Sequence, residues 1–96
     1  MGIFSPKVLD DKSLVEGCVA NNRVHQEKLY RKYFATLFRM GLRYTSDKEL
    51  IQEITHDAFI KVFKNIAKYQ FTGSFEGWIK KIMFHCIVDH LRAKKT

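Results

Sequence analysis

Residues 74–93 read SFEGWIKKIMFHCIVDHLRA. Phe75, Trp78, Ile79, Ile82, Met83, Cys86, Ile87, His90 and Leu91 recur at steps of three and four. That spacing brings side chains onto one face of an α-helix, and nothing in the stretch alternates as a strand would. Ser74 stands where a side-chain oxygen can cap the first turn. The stretch therefore predicts a helix with one buried stripe, and the rest of the chain must supply what covers it.

Working back from it, Tyr69–Ser74 is a short loop with Gly73 as its pivot. Ser46-Asp47-Lys48-Glu49 has the form of a capping box. It opens a helix running to about Lys68, with Leu50, Ile51, Ile54, Ala58, Val62 and Ile66 facing inward. A helix from about Val24 to Tyr44 carries Leu29, Tyr30, Tyr33, Phe34, Leu37, Phe38, Gly41 and Leu42 as a wide apolar stripe. A first helix, from about Lys12 to Ala20, is capped by Asp10 or Asp11 and buries Leu14, Val15, Cys18 and Val19. Asn21-Asn22 ends it. Residues 1–9, where Pro6 blocks a helix, are expected to be a flexible arm, and residues 10–96 one all-α domain of four-helix, bundle-like form.

Composition points the same way. At 46% apolar residues the chain is too hydrophobic for disorder. One Pro and five Gly are too few to punctuate a many-stranded β fold. Ninety-six residues bury one modest core, with little room for a deep enzyme cleft. No apolar run reaches the roughly 18 residues of a membrane span. MGIFSPKVLDDKS has neither the basic nor the apolar region of a secretory signal. Cys18 and Cys86 stand far apart, as two packed thiols of a reduced, cytoplasmic protein would.

Seventeen Lys/Arg against ten Asp/Glu give a net charge of +7, which calls for a polyanion: nucleic acid, a membrane surface or an acidic protein. The charge is unevenly spread. The third helix opens with Asp47, Glu49, Glu53 and Asp57 against Lys48. Asp47 and Glu49 suit a helix N-terminus. Glu53 and Asp57 are like charges one turn apart, costing a few tenths of a kcal/mol. With no local return visible, that cost implies a basic partner or a solvated face. The last helix is the opposite. Its outer face reads Lys80, Lys81, Phe84, His85, Val88, Asp89 and Arg92, followed by Lys94 and Lys95. Lys81, His85, Val88 and Arg92 lie near one line, and Phe84 and Val88 should be exposed. Basic groups interleaved with apolar ones suit phosphate contact with base stacking, and also a membrane-surface helix. The loop before it carries Tyr69 and Phe71, which the helical stripe does not need. They can hold an unstacked base, or Phe71 can fold back as a lid on the core.

Other chemistry is thinly represented. Cys86 and His90, and His85 and Asp89, are spaced as zinc pairs can be. Cys86 and His90 share the apolar face, however, and no second pair stands at metal spacing, so no metal or other cofactor is expected. There is no Gly-rich phosphate loop and no GxSxG, and carboxylates cluster at helix starts. The chain is not expected to be an enzyme.

Taken in order, these features resemble the region-two domain of bacterial RNA polymerase sigma factors, of the extracytoplasmic-function type, over about Leu14 to Lys95. Leu29-Tyr30-Arg31-Lys32-Tyr33 looks like the family's segment in its second helix. SDKELIQEITHDAFIKVF, Ser46 through Phe63, looks like its acidic stretch running into an aromatic-ended helix. Phe71, Gly73, Ser74, Phe75 and Trp78 look like its loop and tryptophan start, and Asp89, Leu91 and Arg92 like its Asp-x-Leu-Arg close. Leu50-Ile51-Gln52-Glu53 superficially matches a run in primary sigma factors. Counting back from Phe59 puts the family's Gln-Glu pair at His56-Asp57 instead.

The resemblance implies promoter recognition and transcription initiation. Glu53, His56 and Asp57 would grip the clamp helices of the largest polymerase subunit, with His56 where Gln is usual. Tyr69, Phe71, Thr72, Gly73 and Ser74 would form a pocket for a flipped base of the minus-ten non-template strand. Lys80, Lys81, Phe84, His85 and Arg92 would line that strand. His85 stands where Asn is common and Phe84 where a basic residue is common, so base preference does not carry over. The family also uses inhibitory anti-sigma partners, and a second, helix-turn-helix domain (region four), which is not expected within these residues, since Thr96 falls where the linker to it would begin. A duplex-binding helix-turn-helix regulator is the alternative. Against it, no three-to-four-residue turn separates two short helices. A protein-interaction module and a membrane-surface protein are the remaining rivals.

Overall fold

The computed structural model describes residues 10–93. The expected arm at residues 1–9, and Lys94 and Lys95, lie outside the described residues. Four helices are present among those described: α1 (Asp11–Val19), α2 (Arg23–Leu42), α3 (Lys48–Asn65) and α4 (Phe75–Ala93), with a 3-10 turn at Ile66–Lys68. No strand occurs among them. The chain is all-α, as its periodicity requires.

Each helix starts where a short polar side chain satisfies free backbone N–H groups. Asp10 accepts from Ser13 N at 2.9 Å, Asn22 from His25 N at 3.1 Å and Ser74 Oγ from Gly77 N at 3.0 Å. The capping box expected from Ser46 is displaced by one residue. Asp47 is the cap of α3, accepting from Leu50 N at 3.1 Å, while Thr45 Oγ1 accepts from Asp47 N. A carboxylate suits the positive end of a helix better than a hydroxyl does. Two ends are shorter than expected. α2 stops at Leu42, before Tyr44, and α3 stops at Asn65, whose side chain donates to Lys61 O at 2.8 Å as the backbone tightens into the 3-10 turn.

α3 packs against both α2 and α4, and α1 lies across α2 and the 3-10 turn. The core between them is Leu14, Val15 and Cys18 from α1, Leu29, Tyr33 and Leu37 from α2, Ile54, Ala58, Phe59 and Val62 from α3, and Phe75, Ile79, Met83, Cys86 and Ile87 from α4. Each fully buried Leu or Ile there contributes about 1.5–3 kcal/mol. Gly41 lets α2 approach α3 closely, since a Cβ on it would stand 2.6 Å from Ile51 Cγ2. Tyr33 ties α1 down by donating to the Asp11 carboxylate at 2.8 Å, and Lys32 Nζ reaches the same carboxylate at 2.7 Å. Burial first, and that acceptor second, push the Tyr33 hydroxyl well above the usual tyrosine range.

The expected stripes run too far at the helix ends. Val19 and Leu42 are 48% and 45% exposed, each turned by about 100° from the neighbour, Cys18 or Gly41, that the last turn of its helix buries. The chain does turn within three residues, Ala20 to Asn22, between α1 and α2. α2 is 20 residues long and buried along one face, so the pair is not the two short helices of a duplex-reading motif.

Candidate functional site

Two surfaces carry the residues singled out in the sequence. The first is the outer ridge of α3. Glu53, His56 and Asp57 share it, being three and four residues apart. Glu53 and His56 are exposed and Asp57 is half-buried. Each has an intramolecular partner. His56 Nε2 forms a 3.1 Å hydrogen bond with the Tyr30 hydroxyl of α2. Asp57 Oδ2 lies 2.8 Å from Nε2 of His90 on α4, and Glu53 Oε2 lies 3.9 Å from His90 Nδ1.

This corrects two expectations. The like-charge pair Glu53–Asp57 has a local return, because His90 faces both carboxylates across the helix interface. His90, placed by spacing on the core stripe, is turned to the edge of that stripe, with 22% of its side chain exposed. One register step separates it from buried Cys86 and Ile87, and the charged partners on α3 decide where the ring goes.

The second surface is the loop between the 3-10 turn and α4. Gly73 has φ +91°, a left-handed conformation glycine adopts at little cost, and it is the pivot the sequence indicated. The Tyr69 hydroxyl closes the loop by donating to Gly73 O at 3.1 Å. The Tyr69 ring packs 5.2 Å from both Phe75 and Trp78. Between loop and helix lies an open hollow of about 470 Å³ lined by Lys68, Tyr69, Gln70, Thr72, Ser74, Gly77, Trp78 and Lys81. Its aromatic wall, hydroxyl and amide groups, and two lysines offer stacking, hydrogen bonds and positive charge together.

Of the loop residues expected to form a pocket, Tyr69, Thr72 and Ser74 line this hollow, while Gly73 shapes it from outside. Phe71 stands beside the hollow rather than in its lining. It is 48% exposed, so it is no core lid, and it is not among the residues lining the hollow. Its φ of +56°, which a non-glycine residue rarely adopts, turns the ring outward onto the edge of Tyr69 at 4.9 Å. Gln70 within the loop, and Lys68, Gly77 and Trp78 outside it, complete the lining. Trp78 was read only as core. Its amphipathic ring spans core and hollow, as half-buried tryptophans do.

The basic residues of α4 divide. Lys81 faces the hollow, and Phe84, His85 and Arg92 continue along the exposed side of the helix. Lys80 does not join them. It pairs with Glu76 at 2.8 Å and faces a different hollow, of about 590 Å³, with Arg39 of α2 and Arg43 just beyond its end. Successive helical residues are turned by about 100°, which is enough to part adjacent lysines. Arg39 and Arg43, four residues apart, lie off the apolar stripe that dominates the pattern of α2. Among the described residues, neither they nor Lys68, Lys81 and Arg92 form a salt bridge.

No helix among the described residues is long and apolar enough to cross a membrane. A family model described as sigma-70 region 2 matches residues 29–96. An ECF RNA polymerase sigma factor SigE from Mycolicibacterium smegmatis is 28% identical over 68 residues, covering 71% of this chain and 26% of that protein. A probable RNA polymerase sigma factor from Haemophilus influenzae is 35% identical over 46 residues, 48% of this chain and 24% of its own. An RNA polymerase sigma-H factor from Pseudomonas aeruginosa is 24% identical over 84 residues, 88% and 44% respectively. The chain thus spans less than half the length of these relatives. No solved structure matches it.

Proposed function

The chain belongs to the sigma-70 region 2 family, and on that premise we propose that it serves transcription initiation as a promoter-opening module without catalysis of its own. The ridge of Glu53, His56 and Asp57 docks on the clamp helices of core RNA polymerase. The hollow between Tyr69 and Lys81 takes an unstacked base of the minus-ten non-template strand, and His85 and Arg92 follow its backbone.

The hollow carries this reading. Among the described residues, an aromatic wall, the polar side chains of Gln70 and Thr72 and two lysines without an ionic partner converge there. Opening a duplex costs a few kcal/mol of unstacking for each base. Stacking on Tyr69 and Trp78 offsets about 1–3 kcal/mol of it. Lys68 and Lys81 add a salt-dependent attraction to phosphate. The duplex-regulator alternative is poorly supported, since α2 is too long and too buried to serve as a short recognition helix.

Binding of labelled minus-ten non-template single strand, compared with the template strand and the matched duplex, tests the strand half. The non-template strand should bind most tightly, and equal binding to all three would refute strand capture. Co-purification with core polymerase tests the docking half. Asp57→Asn keeps a hydrogen-bonding partner for His90 while removing the charge, so it should weaken retention without disturbing the fold.

A further inference from the structure

Glu53, Asp57 and His90 form an arrangement that pairing alone does not exhaust. We propose that these three side chains bind a first-row divalent transition-metal cation on the α3–α4 face, and that the bound ion competes with polymerase for the same carboxylates. The second half rests on the docking role proposed above.

One ring nitrogen of His90 and one oxygen from each carboxylate lie within 4.8 Å of one another. An ion about 2.0–2.2 Å from each donor needs them no more than about 4.4 Å apart. Asp57 and His90 are already held together at 2.8 Å by the packing of α3 on α4. Glu53 approaches the opposite ring nitrogen, Nδ1, at 3.9 Å, so an ion on Nε2 needs the Asp57 contact to open by about a few tenths of an ångström and the Glu53 side chain, 66% of it exposed, to swing round.

Two further observations favour a cation here. In a chain of net charge +7, no Lys or Arg pairs with Glu53 or Asp57 among the described residues. The nearby Lys61 reaches Asp89 instead, at 3.9 Å. On the Glu53 side of His90 opens a bowl of about 420 Å³ lined by Asp47, Glu49, Leu50, Glu53, His90 and Ala93, without a basic side chain other than the histidine itself, while Asp57 lines a smaller hollow on the other side with Lys61 and Lys64. A concave, acidic lining concentrates cations, and its volume admits the waters that complete a coordination shell. One imidazole with two carboxylates suits Zn²⁺, Mn²⁺, Co²⁺ or Ni²⁺ better than Ca²⁺ or Mg²⁺, which favour all-oxygen shells.

Titration of zinc chloride into the 96-residue chain, followed by calorimetry in a non-chelating buffer, tests the site. One Zn²⁺ should bind per chain, at least tenfold more weakly to His90→Gln and to Glu53→Gln. Glutamine keeps a hydrogen-bonding amide near Asp57, and far-ultraviolet circular dichroism checks that the helices persist. Absence of binding, or equal affinity in wild type and His90→Gln, overturns the site. His25, His56 and His85 are the other imidazoles that could give that second result. Retention on core polymerase tests the competition. Zn²⁺ should lower it severalfold for wild type and leave His90→Gln unaffected. Zinc bound at the site with unchanged retention overturns the competition. Wild type not retained even without zinc removes the docking reading and the competition together, while calorimetry still decides the metal site.

Discussion

The acidic ridge of α3 and the basic hollow before α4 differ in more than sign. On the ridge every named residue is already engaged: Glu53 and Asp57 with His90, and His56 with Tyr30. In the hollow Lys68 and Lys81 have no ionic partner among the described residues. A partner that uses the ridge must share or displace contacts that hold α3 to α2 and α4. A strand that enters the hollow displaces only water and counterions. The ridge therefore couples docking to helix packing, whereas the hollow is ready before anything binds. The ridge should consequently tolerate substitution less well than the hollow.

The sharpest way to break this comparison is Asp57→Arg. It places a cation beside His90 and reverses the charge offered to the clamp helices. Like charges brought together in an interface cost several kcal/mol, so retention on polymerase should fall by about a hundredfold or more. Strand binding should be unchanged, because α3 contributes nothing to the lining of the hollow. Loss of both activities would show that the two surfaces are not independent. Next in size is Trp78→Ala. It removes half of the aromatic wall, and single-strand affinity should drop by about 1–3 kcal/mol, measured by fluorescence anisotropy. Trp78→Phe should restore most of it, and retention on polymerase should not move. An equal fall for Phe and Ala would mean that the indole acts through a hydrogen bond rather than through stacking.

The helices were legible because apolar residues repeat at three and four over long stretches, and because Asp10, Asn22 and Ser74 are strong local caps. What the sequence blurred were features set between helices. The Glu53–Asp57 pair looked like a cost because its return, His90, lies more than thirty residues away and was assigned by periodicity to the core. Gly73 and the surplus aromatics mark the loop as a candidate site in the sequence. Which aromatic faces the hollow depends on the backbone sign at Phe71, a left-handed residue that composition does not announce. Trp78 satisfied the core stripe, so its second edge went unread. Lys80 and Lys81 looked like one patch because adjacency in sequence hides a turn of about 100° between them.

Those two lysines give the finest comparison. Lys81 lines the hollow and is unpaired, so Lys81→Ala with Lys68→Ala should lower the slope of log affinity against log salt by about 1–2 for single-strand binding. Lys80→Ala alone should change that slope by less than about 0.5, although each such lysine carries the same charge. Lys80 is held by Glu76 at 2.8 Å, so its charge is offset before the strand arrives, and it faces away from the loop. Removing it also frees the Glu76 carboxylate near Arg39 and Arg43, which would mute any attraction those arginines exert. A Lys80→Ala slope as large as that of Lys81→Ala would place phosphates on both sides of α4. The strand would then continue past the first turn of that helix toward Arg39 and Arg43, rather than ending in the hollow. Strands lengthened by a few nucleotides at either end would reveal the direction, since added affinity should appear at one end only and vanish with Arg39→Ala and Arg43→Ala.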